Sequence, residues 1–180
     1  SQLSYIVLGA LLANEWGIIG GGMHIAMHAF GKITLFFAAG AVMVAAHEKK
    51  ISRMHGLGRT MPITFGAFFV GSLSIIGLPP AGGSWSKWFL AMGTLEAGQV
   101  GLLMVLMLSS LLGLYYLLEV PVKAFFFKPL EDAHHREGIH EAPTASLIAI
   151  IITAIMTVGL FVRPDLAFNL MAMVIPGGVQ

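Results

Sequence analysis

The sequence predicts an all-α, polytopic membrane helix bundle with one discontinuous transmembrane helix. Hydrophobic residues make up 57% of the 180 residues, charged residues only 11%, and the mean hydropathy is +0.84. A soluble domain carries about 25% charged residues to cover its surface, so the composition argues against a water-soluble enzyme. The net charge of +1 gives no general attraction to nucleic acid, and the absence of cysteine removes disulfides and thiolate metal sites.

The apolar segments are placed by length, because a membrane-spanning helix needs roughly 20 apolar residues. Residues 1–13 are apolar but too short to cross, and they lack the basic start of a signal peptide. We therefore interpret the chain as a fragment that opens inside a helix. Full spans are predicted at 18–46, 100–127 and 144–162. The tail, 163–180, is short and ends near two glycines, so we expect it to be irregular. All of these segments form a single membrane domain.

The remaining apolar segment, residues 61–95, is interrupted by the sequence GLPPAGG at Gly77–Gly83. The pieces on either side, of about 16 and 12 residues, are each too short to cross alone. Two prolines remove amide donors, so the helix should break there. A broken helix is tolerated at membrane depth where protein or cavity water satisfies the freed backbone groups. We predict one discontinuous span.

The distribution of charge supports this count. With a single broken span, the loops 47–60 and 123–143 fall on the same side, and the opposite side carries only Arg163. An excess of basic residues marks the cytoplasmic side of a membrane protein, so both loops are predicted to be cytoplasmic. Their basic residues are Lys49, Lys50, Arg53, Arg59, Lys123, Lys128 and Arg136.

The segment 18–46 contains three ionisable residues, His24, His28 and Lys32, at successive i, i+4 spacing. This spacing places them within an arc of about 80° on one helix. A lysine at the centre of a span costs roughly 2.5–3.5 kcal/mol, so we expect the stripe to face the protein interior. Histidine and desolvated lysine exchange protons near neutral pH, which suits a water-bridged relay. The alternative is a structural role, with the histidines bonded to neighbouring helices and Lys32 paired with a buried carboxylate.

Lys87 is the second anomalous charge. It follows the break, where unwound carbonyls and cavity water lie within reach, and transporters use such broken helices to build ion sites. The alternative is an interfacial anchor, since two tryptophans flank this segment. Ser86 and Glu119 are secondary candidates for proton translocation. For Glu119, the alternative is an i, i+4 ion pair with Lys123.

The chain lacks the motifs of cofactor chemistry. No Walker sequence or dinucleotide fingerprint is present, and there is no cysteine to ligate an iron–sulfur cluster. We expect no cofactor, no bound metal and no catalytic chemistry in this chain itself. The histidines His134, His135 and His140, with the acids beside them, could hold a metal loosely, but a solvated loop accounts for them better.

Four stretches in the same order, SQLSYIVLG, HIAMHAFGKITLFFAAGAV, GLGRTMP and IIGLPPAGGSWSKWFL, resemble the antiporter-like membrane subunits. This family is shared by respiratory complex I, Mrp-type sodium/proton antiporters and membrane-bound hydrogenases. The resemblance extends to about residue 165 and implies the second half of an inverted-repeat antiporter fold. It implies that His24, His28 and Lys32 belong to a central hydrophilic axis and that Lys87 is the lysine of the second broken helix.

By this resemblance, the expected function is proton or cation translocation across a bacterial inner membrane by a multi-subunit monovalent cation/proton antiporter. The G-L-P-P and S-K-W stretches favour the Mrp-type D subunit, and Trp88 stands where some complex I members carry an acid. A proton-pumping subunit of NADH:quinone oxidoreductase or a related hydrogenase stays open, as does a structural membrane scaffold. Expected partners are the other membrane subunits, protons, sodium in an antiporter, and the lipid bilayer. The upstream part of the subunit is expected to be required for conduction.

Overall fold

A computed structural model describes residues 2–129 and 138–175, and every regular element in this part of the chain is helical. The all-α prediction is therefore confirmed. The longer elements are linked by short turns, including a 3-10 turn at Ile51–Arg53. In chain order the helices are α1 (Gln2–Leu12), α2 (Glu15–Ala46), α3 (Leu57–Thr60), α4 (Pro62–Ile76), α5 (Gly83–Glu96), α6 (Val100–Phe126), α7 (Thr144–Val162) and α8 (Asp165–Ala172).

Three of the described helices, α2, α6 and α7, are long and apolar enough to cross a membrane. The helices α1 and α4 are apolar but shorter. The outward faces of the long helices carry exposed large hydrophobic side chains, as on α6 with Leu108, Leu111 and Tyr115. Such contiguous exposed apolar faces are suited to contact with lipid, since a soluble monomer rarely has them. The chain is a multi-pass membrane protein.

The helices α4 and α5 form one interrupted span that runs antiparallel to α2. Near the start of α2, a Cβ atom added to Gly93 of α5 would lie 2.7 Å from the backbone nitrogen of Gly17. Further along α2, a Cβ atom added to Gly71 of α4 would lie 3.1 Å from the carbonyl oxygen of Gly31. Increasing residue numbers in α4 and α5 thus match decreasing numbers in α2. The two pieces follow each other along one helix, as the discontinuous span requires.

The two basic loops lie at the same end of the bundle, as the charge distribution predicts. The amide of Gly56 donates to the carbonyl of Lys123 at 3.3 Å, and the amide of His140 donates to the carbonyl of Thr60 at 2.8 Å. Beneath them, α2, α4, α6 and α7 share a hydrophobic core that includes Ala41, Phe65, Val120 and Ile150.

The helix α2 begins at Glu15, three residues earlier than the predicted position 18. The side chain of Asn14 accepts a hydrogen bond from the amide of Gly17 at 2.8 Å, which satisfies one of the free donors at the helix start. The Asn14 amide also donates to the carbonyl of Gly93 at 2.7 Å. The polar break after residue 13 is therefore the start of α2, with Asn14 as its N-cap.

The prediction of an irregular tail is wrong for part of residues 163–180, because α8 occupies Asp165–Ala172. Pro164 stands at the N-cap position and Asp165 lies in the first turn, where a negative charge favours the helix dipole. Phe168 and Met171 pack against a core cluster formed mainly by α2, so burial stabilises a helix too short to persist alone. Residues 176–180 lie outside the described part of the chain.

Candidate functional site

The break between α4 and α5 is built by two prolines and a glycine. Gly77 ends α4 with a φ of +88°, a backbone conformation that favours glycine. In a continuous helix, the amides of residues 79 and 80 would bond the carbonyls of Ile75 and Ile76. Pro79 and Pro80 have no amide hydrogen, so the sequence itself leaves these two carbonyls without helical partners.

Lys87 supplies the missing partners. Its side chain is 6% exposed, and its Nζ donates to the carbonyl oxygens of Ile75 at 3.0 Å and Ile76 at 2.8 Å. The third donor reaches the Oγ of Ser110 on α6 at 2.9 Å. A lysine ammonium has three N–H groups, so each is matched by a neutral acceptor. The cation also lies at the negative end of the α4 dipole. This buried position argues against an interfacial anchor.

Tyr5 of α1 lies between Lys87 and the histidine stripe. The Nζ of Lys87 is 4.9 Å from the centroid of the Tyr5 ring, within the range of a cation–π contact. The same ring meets His24 edge-on, with centroids 5.4 Å apart. The Tyr5 hydroxyl donates to the Oγ of Ser109 at 2.6 Å. Tyr5 was not predicted as a site residue, although the Ser109–Ser110 pair in the middle of an apolar helix was a signal for polar contacts at this depth.

His24 is buried beside Lys87, with both ring nitrogens bonded. Its Nδ1 lies 2.8 Å from the Oγ of Ser86, and its Nε2 lies 3.1 Å from the Oε1 of Gln2. The rings of His24 and His28 stack with centroids 5.8 Å apart. The structure thus brings together three of the predicted residues, Lys87, Ser86 and His24, and adds Gln2.

The histidine stripe turns outward as it continues along α2. His28 is half-buried, and its Nδ1 is a buried atom without a hydrogen-bond partner in the described part of the chain. Lys32 is exposed, with its Nζ 5.7 Å from the Phe36 ring centroid. Among the described residues the stripe is therefore buried at His24, partly buried at His28 and exposed at Lys32, so its predicted inward orientation at Lys32 stays a prediction for the whole protein. Each step along the stripe turns by about 40°, so Lys32 lies about 80° around α2 from His24.

Glu119 does not join the residues at the break. Its Oε1 lies 2.5 Å from the Nζ of Lys123, the i, i+4 ion pair that the spacing suggests. Glu119 is nine residues beyond Ser110 on α6, which corresponds to about 14 Å along the helix axis. The pair lies at the end of the bundle that carries the basic loops.

Glu141 follows His140 and is one of the acids in the segment interpreted from the sequence as a solvated loop. Its Oε1 accepts a hydrogen bond from the amide of Ile63 at 2.6 Å, and its Oε2 accepts one from the Oγ1 of Thr64 at 2.6 Å. Both donors belong to the first turn of α4, so Glu141 caps this helix from a distant segment.

No cluster of three or more histidine and acidic side chains occurs within residues 2–129 and 138–175. His134 and His135, the centre of the loop considered for metal binding, lie outside the described residues.

Known proteins resemble the chain in both sequence and structure. The family described as NADH:quinone oxidoreductase/Mrp antiporter, TM, matches residues 1–113. NADH-quinone oxidoreductase subunit N of Desulforudis audaxviator is 36% identical over 173 residues, which cover 89% of this chain and 34% of that protein. The chain thus spans about a third of this relative's length.

Two solved structures share the fold. A chain of the Mrp complex from Dietzia sp. DQ12-45-1b matches with a TM-score of 0.84 and 25% identity, covering 95% of this chain and 39% of that one. A chain of the membrane-bound sulfane sulfur reductase, an archaeal respiratory membrane complex, matches with a TM-score of 0.86 and 27% identity, covering 99% and 30%. With the family match across more than half its length, the chain belongs to the NADH:quinone oxidoreductase/Mrp antiporter transmembrane family.

Proposed function

We propose that this chain translocates protons across a bacterial inner membrane, as part of an antiporter-like subunit in a multi-subunit monovalent cation/proton antiporter. The observation that carries the proposal is the coordination of Lys87, a buried ammonium that bonds three neutral acceptors at a helix break. Membership of the antiporter family supports the same function.

Neutral acceptors make Lys87 suitable for changing its charge. A buried lysine paired with a carboxylate would leave an unpaired buried anion when it lost its proton, which is costly. Here, loss of one proton leaves a neutral amine that still donates two hydrogen bonds, and only one acceptor loses its donor. Loss of the proton thus leaves no unpaired buried anion, while the charged form is opposed by burial and favoured by its three hydrogen bonds and the α4 dipole. We assign Lys87 as the group that gains and loses a proton during transport.

The path continues along α2. Ser86 precedes Lys87 in α5, and its Oγ lies 2.8 Å from the Nδ1 of His24. The ring of His24 stacks on that of His28, one turn further along α2. Lys32 follows after another turn, at the exposed face of α2. We propose that protons pass between Lys87 and Lys32 through these histidines, with water completing the steps between side chains. Lys32 then faces a neighbouring part of the complex.

The partners follow from this arrangement. The similar structures are chains of the Mrp complex and of a respiratory membrane complex, so we propose that other membrane subunits surround this chain. The basic loops around residues 47–60 and 123–143 support a cytoplasmic orientation of that end. Sodium is the proposed exchanged cation if the complex is an antiporter.

The test is proton flux through the full-length subunit assembled in its complex. We expect Lys87→Ala and Lys32→Ala to abolish transport in vesicles while native gels show intact complexes. Lys128→Ala, an exposed lysine at the loop end, is the matched control and should retain normal flux. Normal flux in both of the first two variants would sink the proposal. Failure of the Lys32→Ala complex to assemble would favour the structural scaffold instead.

A second candidate is a redox-driven proton pump, favoured by the 36% identity to a protein named NADH-quinone oxidoreductase subunit N. An optical spectrum of the native complex, with an NADH oxidation assay alongside, separates the two. Flavin and iron–sulfur absorbance together with NADH oxidation would assign a complex I-type pump. A colourless complex that exchanges sodium for protons in vesicles would support the antiporter.

A further inference from the structure

Gln2 of α1 connects the two central residues of the site. Its Nε2 lies 3.4 Å from the carbonyl oxygen of Ile75, the same oxygen that Lys87 binds at 3.0 Å. Its Oε1 lies 3.1 Å from the Nε2 of His24. One amide side chain therefore spans the distance between the acceptor of Lys87 and the ring of His24.

The orientation of this amide is determined by chemistry. A backbone carbonyl oxygen can only accept hydrogen bonds, so the group of Gln2 that faces Ile75 must be the NH₂ donor. The carbonyl oxygen of the amide then faces His24. Reversing the amide would place two oxygens against each other and leave the Gln2 oxygen without a donor.

This orientation selects one tautomer of His24. The Oε1 of Gln2 accepts but cannot donate, so the Nε2 of His24 must carry a hydrogen. In the neutral ring the other nitrogen, Nδ1, is then unprotonated. The Oγ of Ser86 cannot make this choice, because a hydroxyl can donate or accept.

Ser86 has two acceptors within reach, the Nδ1 of His24 at 2.8 Å and the carbonyl oxygen of Gly83 at 3.0 Å, and only one hydroxyl hydrogen. When His24 is neutral, Ser86 donates to Nδ1. When His24 gains a proton at Nδ1, that N–H donates to Ser86, and the Ser86 hydroxyl turns to the carbonyl of Gly83. Each charge state of His24 thus has its own fully bonded arrangement.

We infer that Gln2 and Ser86 are positioning residues for His24. Gln2 holds the Nε2–H tautomer, so His24 gains and loses its proton at Nδ1, on the side that faces Ser86 and the residue after it, Lys87. The inference rests on the proposed proton translocation and deepens it by naming the nitrogen that exchanges the proton. That nitrogen is the one that contacts Ser86, in the first turn of α5.

The test reads the tautomer directly. The intact complex, with ¹³C- and ¹⁵N-labelled histidine, is reconstituted in lipid vesicles and studied by solid-state NMR at about pH 9, where free imidazole is neutral. His24 is identified by subtracting the spectrum of His24→Asn. Correlations to Cγ identify Nδ1 and those to Cδ2 identify Nε2, and the shift of each nitrogen reports whether it carries a hydrogen.

We expect the hydrogen on Nε2 in the wild type and in Ser86→Ala, because Gln2 is present in both. In Gln2→Leu, a side chain of similar size, we expect a substantial population with the hydrogen on Nδ1. A wild-type ring with the hydrogen on Nδ1, or on both nitrogens, would overturn the inference, and so would a Gln2→Leu spectrum identical to the wild type. If Gln2→Leu does not assemble, Gln2→Ala gives the same comparison, since neither side chain can accept a hydrogen bond from His24.

The tautomer and the flux are separate readouts. We expect Gln2→Leu to lower proton flux by more than about tenfold, because a histidine in the wrong tautomer loses its role in proton transfer. Normal flux in both Lys87→Ala and Lys32→Ala would defeat the proposed function but not the assignment of the tautomer. An unchanged flux in Gln2→Leu, with the tautomer altered, would overturn the role of Gln2 in translocation.

Discussion

The two ends of α4 are stabilised by opposite charges from distant segments, but in different surroundings. At the N-terminus, Glu141 from the segment before α7 accepts from the first turn. At the C-terminus, Lys87 from α5 donates to the last two carbonyls. Both charges complement the helix dipole. Glu141 is partly exposed at the loop end of the bundle, whereas Lys87 is buried at the break.

By the proposed function, one electrostatic arrangement serves the stability of α4 at its N-terminus and proton transfer at its C-terminus. Water can replace a carboxylate at an exposed helix start, so the cap contributes a modest free energy. At the break, the bonds from Lys87 replace those that Pro79 and Pro80 cannot make. A change in the charge of Lys87 therefore changes the bonding of the helix end itself. The variants below separate these two roles.

Among the variants that leave Lys87 in place, we expect the largest effect from Ser110→Ala, which removes the only side-chain acceptor bonded to Lys87 among the described residues. A hydrogen bond to a charged group contributes about 1.5–3 kcal/mol, so we expect the proton flux of the assembled subunit to fall by roughly tenfold or more. The matched control is Ser109→Ala, one residue earlier, which loses its bond to Tyr5 rather than one to Lys87. Equal losses in both variants would show that packing, not the coordination of Lys87, sets the rate.

An intermediate effect is expected from Gly77→Ala. Gly77 has a φ of +88°, and an added Cβ would press against the Lys87 side chain. Gly98 has a φ of +67° but no atom within 4 Å of an added Cβ. Both Gly77→Ala and Gly98→Ala should lower the free energy of unfolding by about 1–2 kcal/mol through backbone strain. Only Gly77→Ala should slow proton flux, by several-fold, in vesicle assays. A comparable slowing in Gly98→Ala would contradict the assignment to Lys87.

The smallest effect is expected from Glu141→Ala. Loss of a helix cap costs about 0.5–2 kcal/mol, so the thermal unfolding midpoint of the purified subunit should fall while proton flux stays normal. Glu96→Ala, at an exposed position near the end of α5, is the control and should change neither quantity. If Glu141→Ala lowered proton flux as much as Ser110→Ala, the claim that only the C-terminal end of α4 takes part in proton transfer would be wrong.

Much of this architecture could be predicted from the sequence because it depends on local properties. The length and hydropathy of each segment indicate the spans, and the paired prolines with their glycines indicate the break. The spacing of His24, His28 and Lys32 places them on one side of a helix without knowledge of its neighbours. A charged residue in an apolar segment, such as Lys87, is also recognisable from the sequence as a candidate site residue.

The contacts of the site could not be predicted in the same way. Gln2 and Ser110 are ordinary polar residues whose roles depend on how α1 and α6 pack against the break. The exposure of Lys32 depends on which residues pack against that turn of α2, and the spacing along α2 does not contain this information. The eight-residue helix α8 is too short to be indicated by its own propensity, since packing on α2 stabilises it.

The shared acceptor at Ile75 also determines where the break can be hydrated. A carbonyl oxygen has two lone pairs, and at Ile75 one faces the ammonium of Lys87 and the other the amide of Gln2. The oxygen of Ile76 accepts from Lys87, and the described residues offer it no second donor. The lone pair that is left for a water molecule entering the break is therefore on Ile76 rather than on Ile75.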